Sequence, residues 1–444
     1  MRRTETEVGE ASRGHVRCTR PPGISRLLQV LLCGAAALGA AAVQAQPIPL
    51  DEAVSRAVGH NPDVSRAAAG VEAAEAELRS ASRLLRSNPE VSVSAGPRRG
   101  PAGEASVDVG VQLMQPVEVG GQRRARIDVA EATLLGARAE LQATRAEVAA
   151  RTRRTFAGVL GAQAQLRAAE EASAFGEKAV LAVRQRLAAG GASQIDVNAA
   201  LVEFGRARRD VIVARQALIS RTAELSGLLV ATPEFVPEPA GELGAVVAQL
   251  VIEVPDVEVA TARALEARAD LAAARADVTV AQTQMVLSSR SAVPTPALGL
   301  AYEREGAEQV VQGLLALELP LFDRNQAERG SAAAQLKQAQ VRAEALERRI
   351  RIDVRAALEN LDAARAGVAL FREGINQAAQ DNVKLIEAGY LAGKLDFFQL
   401  LLMQRNAVES RRGYVESLEE LASAAAELRR VLGDEGSSGG PVSR

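Results

Sequence analysis

The side chains in this sequence that could act on a solute gather at two short turns between helix-forming runs. The first reads Arg186-Leu187-Ala188-Ala189-Gly190-Gly191-Ala192-Ser193-Gln194-Ile195-Asp196, the second Tyr390-Leu391-Ala392-Gly393-Lys394-Leu395-Asp396-Phe397-Phe398-Gln399. Gly190 and Gly393 suit the left-handed residue that ends a helix. Ser193 and Asp396 are natural N-caps for the helix that follows, and Gln399 completes a capping box with Asp396. Such residues hold helix ends and present charge at a turn, which is binding or steering chemistry rather than bond making. No nucleophile triad, phosphate loop or paired-carboxylate cleft is legible, so no enzymatic activity and no cofactor are expected. The other acids fall along helices at spacings that suit pairs with arginine, such as Glu347 and Arg351.

Metal chemistry is bounded by the N-terminus. Arg20 and Arg26 precede an apolar run from Leu27 to Val43, and Val43-Gln44-Ala45 supplies the small residues a signal peptidase needs. A signal peptide over 1–45, cleaved before Gln46, is therefore expected. The run is short for a membrane span and is weakened by Gly34, Gly39 and Gln44. The polar stretch before Gly23 is long for such a leader, which points to a start assigned too far upstream. Cys33 follows Leu32, where a lipidation signal needs a small residue. Cys18 and Cys33 both precede the cleavage point, leaving His60 as the one histidine beyond it. A zinc or copper cage of nitrogen and sulfur ligands in the mature chain is thereby excluded, and no metal site is expected.

The elements that carry the two turns must be long helices. Hydrophobic residues make up 48% but aromatics only 2%, so alanine, leucine and valine supply the apolar surface, as in closely packed helices. The net charge of −2 gives no reason to expect nucleic-acid binding. No proline occurs from Val117 to Thr232 or from Leu321 to Gly440, and an interior proline costs a helix about 3 kcal/mol. The run from Gln326 to Ala392 predicts a helix on the order of 100 Å long. Leu346, Ile350, Val354, Ala357, Leu361, Ala364, Val368, Phe371 and Ile375 form its seam, and Leu418, Leu421, Ala425, Leu428 and Leu432 form a partner's.

The plan is stated twice. Asn61-Pro62-Asp63-Val64 and Arg268-Ala269-Asp270-Leu271 each begin an alanine-rich helix that ends at a proline, in Asn88-Pro89 and Thr295-Pro296. Alternating strands follow, with Val107, Val109, Val111 and Leu113 on one face and Ser106, Asp108, Gly110 and Gln112 on the other. Leu298, Leu300 and Tyr302, then Val311, Leu315, Leu317 and Leu319, repeat the pattern. Such a sheet is half buried, against either protein or lipid. Four strands cannot close a barrel, and eight leave an interior filled by side chains, so a lipid-facing conduit needs at least three chains. The layout is a first repeat over 46–230, a linker over 231–256 read as loop from Pro233, Pro237, Pro239 and Pro255, a second repeat over 257–432, and a disordered tail over 433–444.

With these features the chain resembles the TolC-like outer-membrane efflux family over the whole mature length. Glu118-Val119-Gly120-Gly121-Gln122-Arg123 and Leu319-Pro320-Leu321-Phe322-Asp323-Arg324-Asn325-Gln326 are similar to segments of its heavy-metal branch, the outer-membrane partners of cobalt–zinc–cadmium efflux pumps. Gly120, Gly121 and Asn325 read as strand-to-helix joints, where unusual dihedrals are needed. The resemblance implies a mainly helical fold with a β-barrel part. It implies a homotrimer with twelve strands in the outer membrane and twelve helices in a periplasmic tunnel, partnered by a periplasmic adaptor and an inner-membrane resistance–nodulation–division pump. It implies that Asp196, Asp396, Gln399 and Tyr390 lie at the periplasmic aperture, where carboxylates in rings of three favour cations. Relatives that export drugs carry aspartates where this chain has Gln399 and Leu402. Export of heavy-metal cations, export of drugs through the same kind of duct, and a periplasmic coiled-coil scaffold remain the readings to separate.

Overall fold

A computed structural model of the chain describes residues 44–99, 103, 105–231, 235–253, 256–305, 308–392 and 394–434. Residues 1–43, with Cys18, Cys33 and most of the expected signal peptide, Gly393, and residues 435–444 of the expected tail lie outside the described residues. The residues from Ala45 onward belong to one unit of the chain.

Strand β1 (Gln44–Ile48) is followed by α1 (Leu50–His60) and α2 (Pro62–Ala81), then β2 (Glu90–Arg99) and β3 (Ala105–Pro116). Helix α3 (Gln122–Ala188) and helix α4 (Gln194–Leu228) complete this run. Next come β4 (Phe235–Pro239), α5 (Leu243–Leu250), α6 (Val257–Ala267), α7 (Ala269–Arg290), β5 (Ala297–Glu305) and β6 (Glu308–Ala316). Helix α8 (Gln326–Leu370), a π-helical turn (Phe371–Ile375), α9 (Asn376–Leu391) and α10 (Phe397–Leu432) close the order.

Local chemistry accounts for the long elements. Helix α2 starts where the Asn61 side chain accepts from Asp63 N–H at 2.8 Å with proline at the first helical position. Helix α3 runs for 67 residues without a proline, about 100 Å at ~1.5 Å per residue. It stops where Gly190 takes φ +74° and Gly191 N–H reaches back to the Arg186 carbonyl at 2.8 Å.

Two expectations need correction. The helix expected from Gln326 to Ala392 is interrupted at Phe371–Ile375, because Gly374 adopts φ +114°, outside any helical conformation. Phe371 packs there against Gly413 and Tyr414, with ring centroids 6.2 Å apart, while Ile375 leaves the seam and is exposed. The stretch expected as loop between the halves contains β4, paired with β1, and α5. Leu243, Val246, Val247 and Leu250 bury one face of α5 in the core, and that apolar spacing outweighs the prolines around it.

The main core joins α3, α4, α5, α8 and α10 through Phe156, Leu160, Leu225, Leu243, Ile350, Val354, Leu361, Leu418 and Leu428. Each such side chain contributes roughly 1.5–3 kcal/mol of burial. A second, smaller core holds the ends of the hairpins. The large sheet is antiparallel throughout, in the order β2-β3-β5-β6.

Candidate functional site

The sheet sorts its side chains by face. Its register aligns Val91, Leu113 and Leu300 in one row and Val93, Val111, Tyr302 and Val311 in the next. This face is turned to the outside of the chain: Val311 is 73% exposed and Leu315 71%. The opposite face carries Ser92, Gln112 and Gln312 in one row and Ser94 and Glu303 in another. Near the far end Arg98 Nη1 donates to Glu305 Oε2 at 2.8 Å and lies 3.7 Å from Asp108 Oδ2, tying β2, β3 and β5 together. Among the described residues no strand lies beyond β2 or β6, so both outer edges are unpaired. An uncovered apolar face and two open edges are unstable in water and also in lipid unless the edges meet partners.

Left-handed residues make both strand-to-helix joints. Gly121 precedes α3 with φ +80°, and Asn325 precedes α8 with φ +59°. The first helical side chain turns back in each case: Gln122 Oε1 accepts from Gly120 N–H and Gln326 Oε1 from Arg324 N–H, both at 2.7 Å. Arg126 fastens the first joint by pairing with Glu118 and donating to the Ala81 carbonyl at the end of α2. At the second, Asn325 Nδ2 donates to Ser288 O at the end of α7, 3.0 Å away.

The hairpin tips are capped alike. Ser193 Oγ accepts from Asp196 N–H at 3.2 Å while Asp196 Oδ2 accepts from Ser193 N–H at 2.8 Å. Asp396 Oδ1 accepts from Gln399 N–H at 2.8 Å, and Gln399 Oε1 accepts from Asp396 N–H at 3.3 Å. Asp396 and Gln399 are exposed and Asp196 is partly so. Tyr390 is not at the surface. It is 3% exposed, with its ring 5.9 Å from that of Phe397, in a small core with Val183, Val197 and Leu400. The Arg186 guanidinium lies over that ring at 4.6 Å and donates to Tyr390 O at 3.0 Å, joining the two tips. Glu203 on α4 and Arg405 on α10 form a second tie. These ties span some two hundred residues of chain, so sequence spacing carries no signal for them. The cation–aromatic types were visible, but not their meeting.

Buried charge sits in the helical body rather than at the tips. Burial pushes the Glu419 carboxyl above its ordinary range, and Arg221 offsets this only in part. Burial acts the same way on Asp270, but hydrogen bonds from Arg268 at 2.6 and 3.0 Å prevail and hold it below the usual carboxylate range. Arg153 is lowered to about 10, by burial first and then by Arg429. Among the described residues no group of three or more His, Cys, Asp or Glu side chains is placed to hold a metal ion. Among them, too, no helix is long and apolar enough to cross a membrane.

A layout of long paired helices and one open sheet has known counterparts. Over 394 residues, 88% of this chain and 91% of the relative, the sequence is 29% identical to the cobalt-zinc-cadmium resistance protein CzcC of Cupriavidus metallidurans. A membrane protein of Pseudomonas aeruginosa superposes with a TM-score of 0.74 at 21% identity, over 87% of this chain and 91% of its own. The channel protein CusC superposes with a TM-score of 0.73 at 17% identity, over 86% and 92%. The model of the family described as outer membrane efflux protein matches residues 53–230 and 260–434, one segment on each side of β4 and α5. That family is one of efflux proteins and not of enzymes, and with both segments matched the chain belongs to it.

Proposed function

We propose that three copies of this chain form one outer-membrane duct for heavy-metal cations. Their sheets close edge to edge into a single twelve-stranded barrel, and their helices continue it as a periplasmic tunnel. An inner-membrane pump of the resistance–nodulation–division type loads the tunnel through a periplasmic adaptor. The observation that carries this reading is the sheet, with β2 and β6 unpaired and its apolar face exposed. A barrel removes open edges, and lipid covers the apolar face. A coiled-coil scaffold in water gives no account of that face. The chain is then a duplicated unit, with repeats over 46–230 and 257–432 behind a leader over 1–45. The occurrence of helix, strand, strand, long helix, helix on both sides of β4 and α5 supports that division.

Conduction is passive: the polar face of the sheet lines the barrel, and the hairpin tips line the periplasmic mouth. There Asp196 and Asp396 become rings of three carboxylates, which draw cations toward the opening. The cargo is inferred from the name of the 29% identical relative. A duct needs no chelating cage, because a tightly held ion would not leave.

Cell fractionation and a deletion strain test these points. The mature protein is expected in the outer membrane as a trimer, and recovery as a soluble periplasmic monomer would overturn the duct. Deletion is expected to lower tolerance to cobalt, zinc and cadmium. Unchanged metal tolerance with new sensitivity to dyes and detergents would reassign the cargo to drugs.

A further inference from the structure

The joint between β3 and α3 is closed from outside by the segment that leads into β5. A Cβ placed on Gly120 would lie 2.6 Å from Val293 Cβ. Gln122 Nε2 donates to Val293 O at 3.1 Å, and Val117 N–H to Pro296 O at 2.9 Å. This cover follows from the pairing of β3 with β5, which brings the approach to β5 over the joint.

The joint between β6 and α8 has the same inner construction, with Asn325 in the place of Gly121 and Gln326 in that of Gln122. Its outer side has no such cover, because β6 is an edge. Phe322 is 93% exposed there, Leu319 and Leu321 are exposed beside it, and Gln326 Nε2 turns to its own chain's Phe322 O at 3.2 Å. The counterpart of the covering segment is present at the other edge of the sheet. Asn88-Pro89 precedes β2 as Thr295-Pro296 precedes β5, so Arg83–Arg86 corresponds to Arg290–Val293. That stretch also exposes large apolar side chains, Leu84 and Leu85. The uncovered joint and the exposed counterpart of its cover, held at its start by Arg126 Nη2 donating to Arg83 O at 3.2 Å, thus sit at opposite edges of one open sheet.

We propose that Arg83–Arg86 of one copy lies across the Leu319–Gln326 joint of the next. Leu84 and Leu85 cover Leu321 and Phe322, and Gln326 exchanges its own-chain bond for the Arg86 carbonyl. The exposed Asp323 carboxylate, whose Oδ1 accepts from Asn325 N–H at 2.9 Å, faces the incoming Arg86. This contact rests on the barrel reading but is narrower, since a barrel whose joints face lipid is built from the same strands.

Cysteine pairs separate the two, in a full-length chain with Cys18 and Cys33 changed to serine. Arg86→Cys with Arg324→Cys samples the counterpart of the Val293–Gly120 approach, opened by about 1–2 Å because Arg324 has a Cβ where Gly120 has none, and so brought to the roughly 3.5–4.5 Å between Cβ atoms that a disulfide needs. Leu85→Cys with Phe322→Cys samples the apolar part of the same contact. Ala95→Cys with Leu315→Cys reports the strand edges, because the β3–β5 register carried to β6 and β2 sets those residues opposite one another. The expected result is a ladder of two and three linked chains for at least one joint pair, collapsing with reductant and missing from every single mutant. A ladder from the edge pair with none from either joint pair would overturn the contact and leave the barrel standing. Failure of all three pairs in membrane-extracted protein would overturn the barrel and the contact together.

Discussion

At the scale of single residues, the two tip aspartates each do a local job that must be separated from any role in conduction. Asp196 closes a capping box with Ser193, and Asp396 caps α10. Losing either cap costs about 1 kcal/mol locally. Asparagine caps as well as aspartate but carries no charge, so Asp396→Asn removes only the charge. In planar bilayers, Asp396→Asn and Asp196→Ala are expected to lower cation preference, read as a shift in reversal potential, with the trimer intact. Reversal potentials equal to the parent's for both would leave these residues as helix caps. Glu419 and Asp270 offer a pH test with opposite signs. The native state holds the Glu419 proton more tightly than the unfolded chain does. Its contribution is therefore fully present below the ordinary carboxylate range and is lost as pH rises through its raised value. Asp270, held low by Arg268, contributes above the ordinary range and loses that contribution as pH falls through its own lowered value. At pH 7 Glu419→Gln is expected to raise the thermal midpoint and Asp270→Asn to lower it, with both differences fading toward acid. A fall in the midpoint at pH 7 for Glu419→Gln would contradict the burial account.

At the scale of elements, the joints decide how a strand hands over to a helix about 100 Å long. A Cβ on Gly121 would meet nothing nearer than the Arg290 side chain at 4.0 Å, an ordinary contact, so its requirement is the left-handed backbone. Gly121→Ala is expected to cost about 1–2 kcal/mol. Gly120 has the other kind of requirement, since any side chain there meets Val293. Gly120→Ala is expected to lower the thermal midpoint more than Gly121→Ala, and Val293→Gly in the same chain, which removes both the Cβ and the Cγ1 that the new methyl meets, to restore part of the loss. If Val293→Gly gives no rescue, the close approach is not what Gly120 serves. Asn325→Gly keeps the dihedral but gives up the bond to Ser288 O, worth about 0.5–1.5 kcal/mol.

At the scale of the whole molecule, the two faces of one strand should answer oppositely to the same charge. Val311 is on the exposed apolar face, and its neighbour Gln312 is on the polar face with Glu303. An arginine on the lipid side of a barrel costs about 2–4 kcal/mol near the bilayer midplane, whereas changes on the lumen side tune selectivity. Val311→Arg is therefore expected to reduce the amount of membrane-inserted trimer. Gln312→Arg is expected to assemble normally and to shift conductance toward anions. Equal assembly of the two variants would mean that the apolar face does not meet lipid.

Much of this was determined by sequence alone, because it depends on order along the chain. Proline-free runs, apolar residues at three and four, strict alternation in the strands and glycine or asparagine at the joints report local backbone preference. The family's two matched segments, 53–230 and 260–434, take in both stretches that carry these patterns. What the sequence withheld depends on contacts between residues far apart. Periodicity could not say whether the alternating strands face protein or lipid; the four-stranded order and the exposure of Val311 decided that the chain leaves them uncovered. Prolines suggested a loop between the halves, but packing of its apolar face against α3 and α10 holds α5 in the core. A proline-free stretch suggested one unbroken helix, yet Phe371 fitted against Gly413 and Tyr414 comes with a π turn at Gly374. The resemblance implies Tyr390 at the aperture but says nothing of its exposure, and the packing of the second hairpin on the first buries its side chain under Arg186. Local preference chooses each element, whereas the burial of side chains between elements chooses which of them are in reach of a solute.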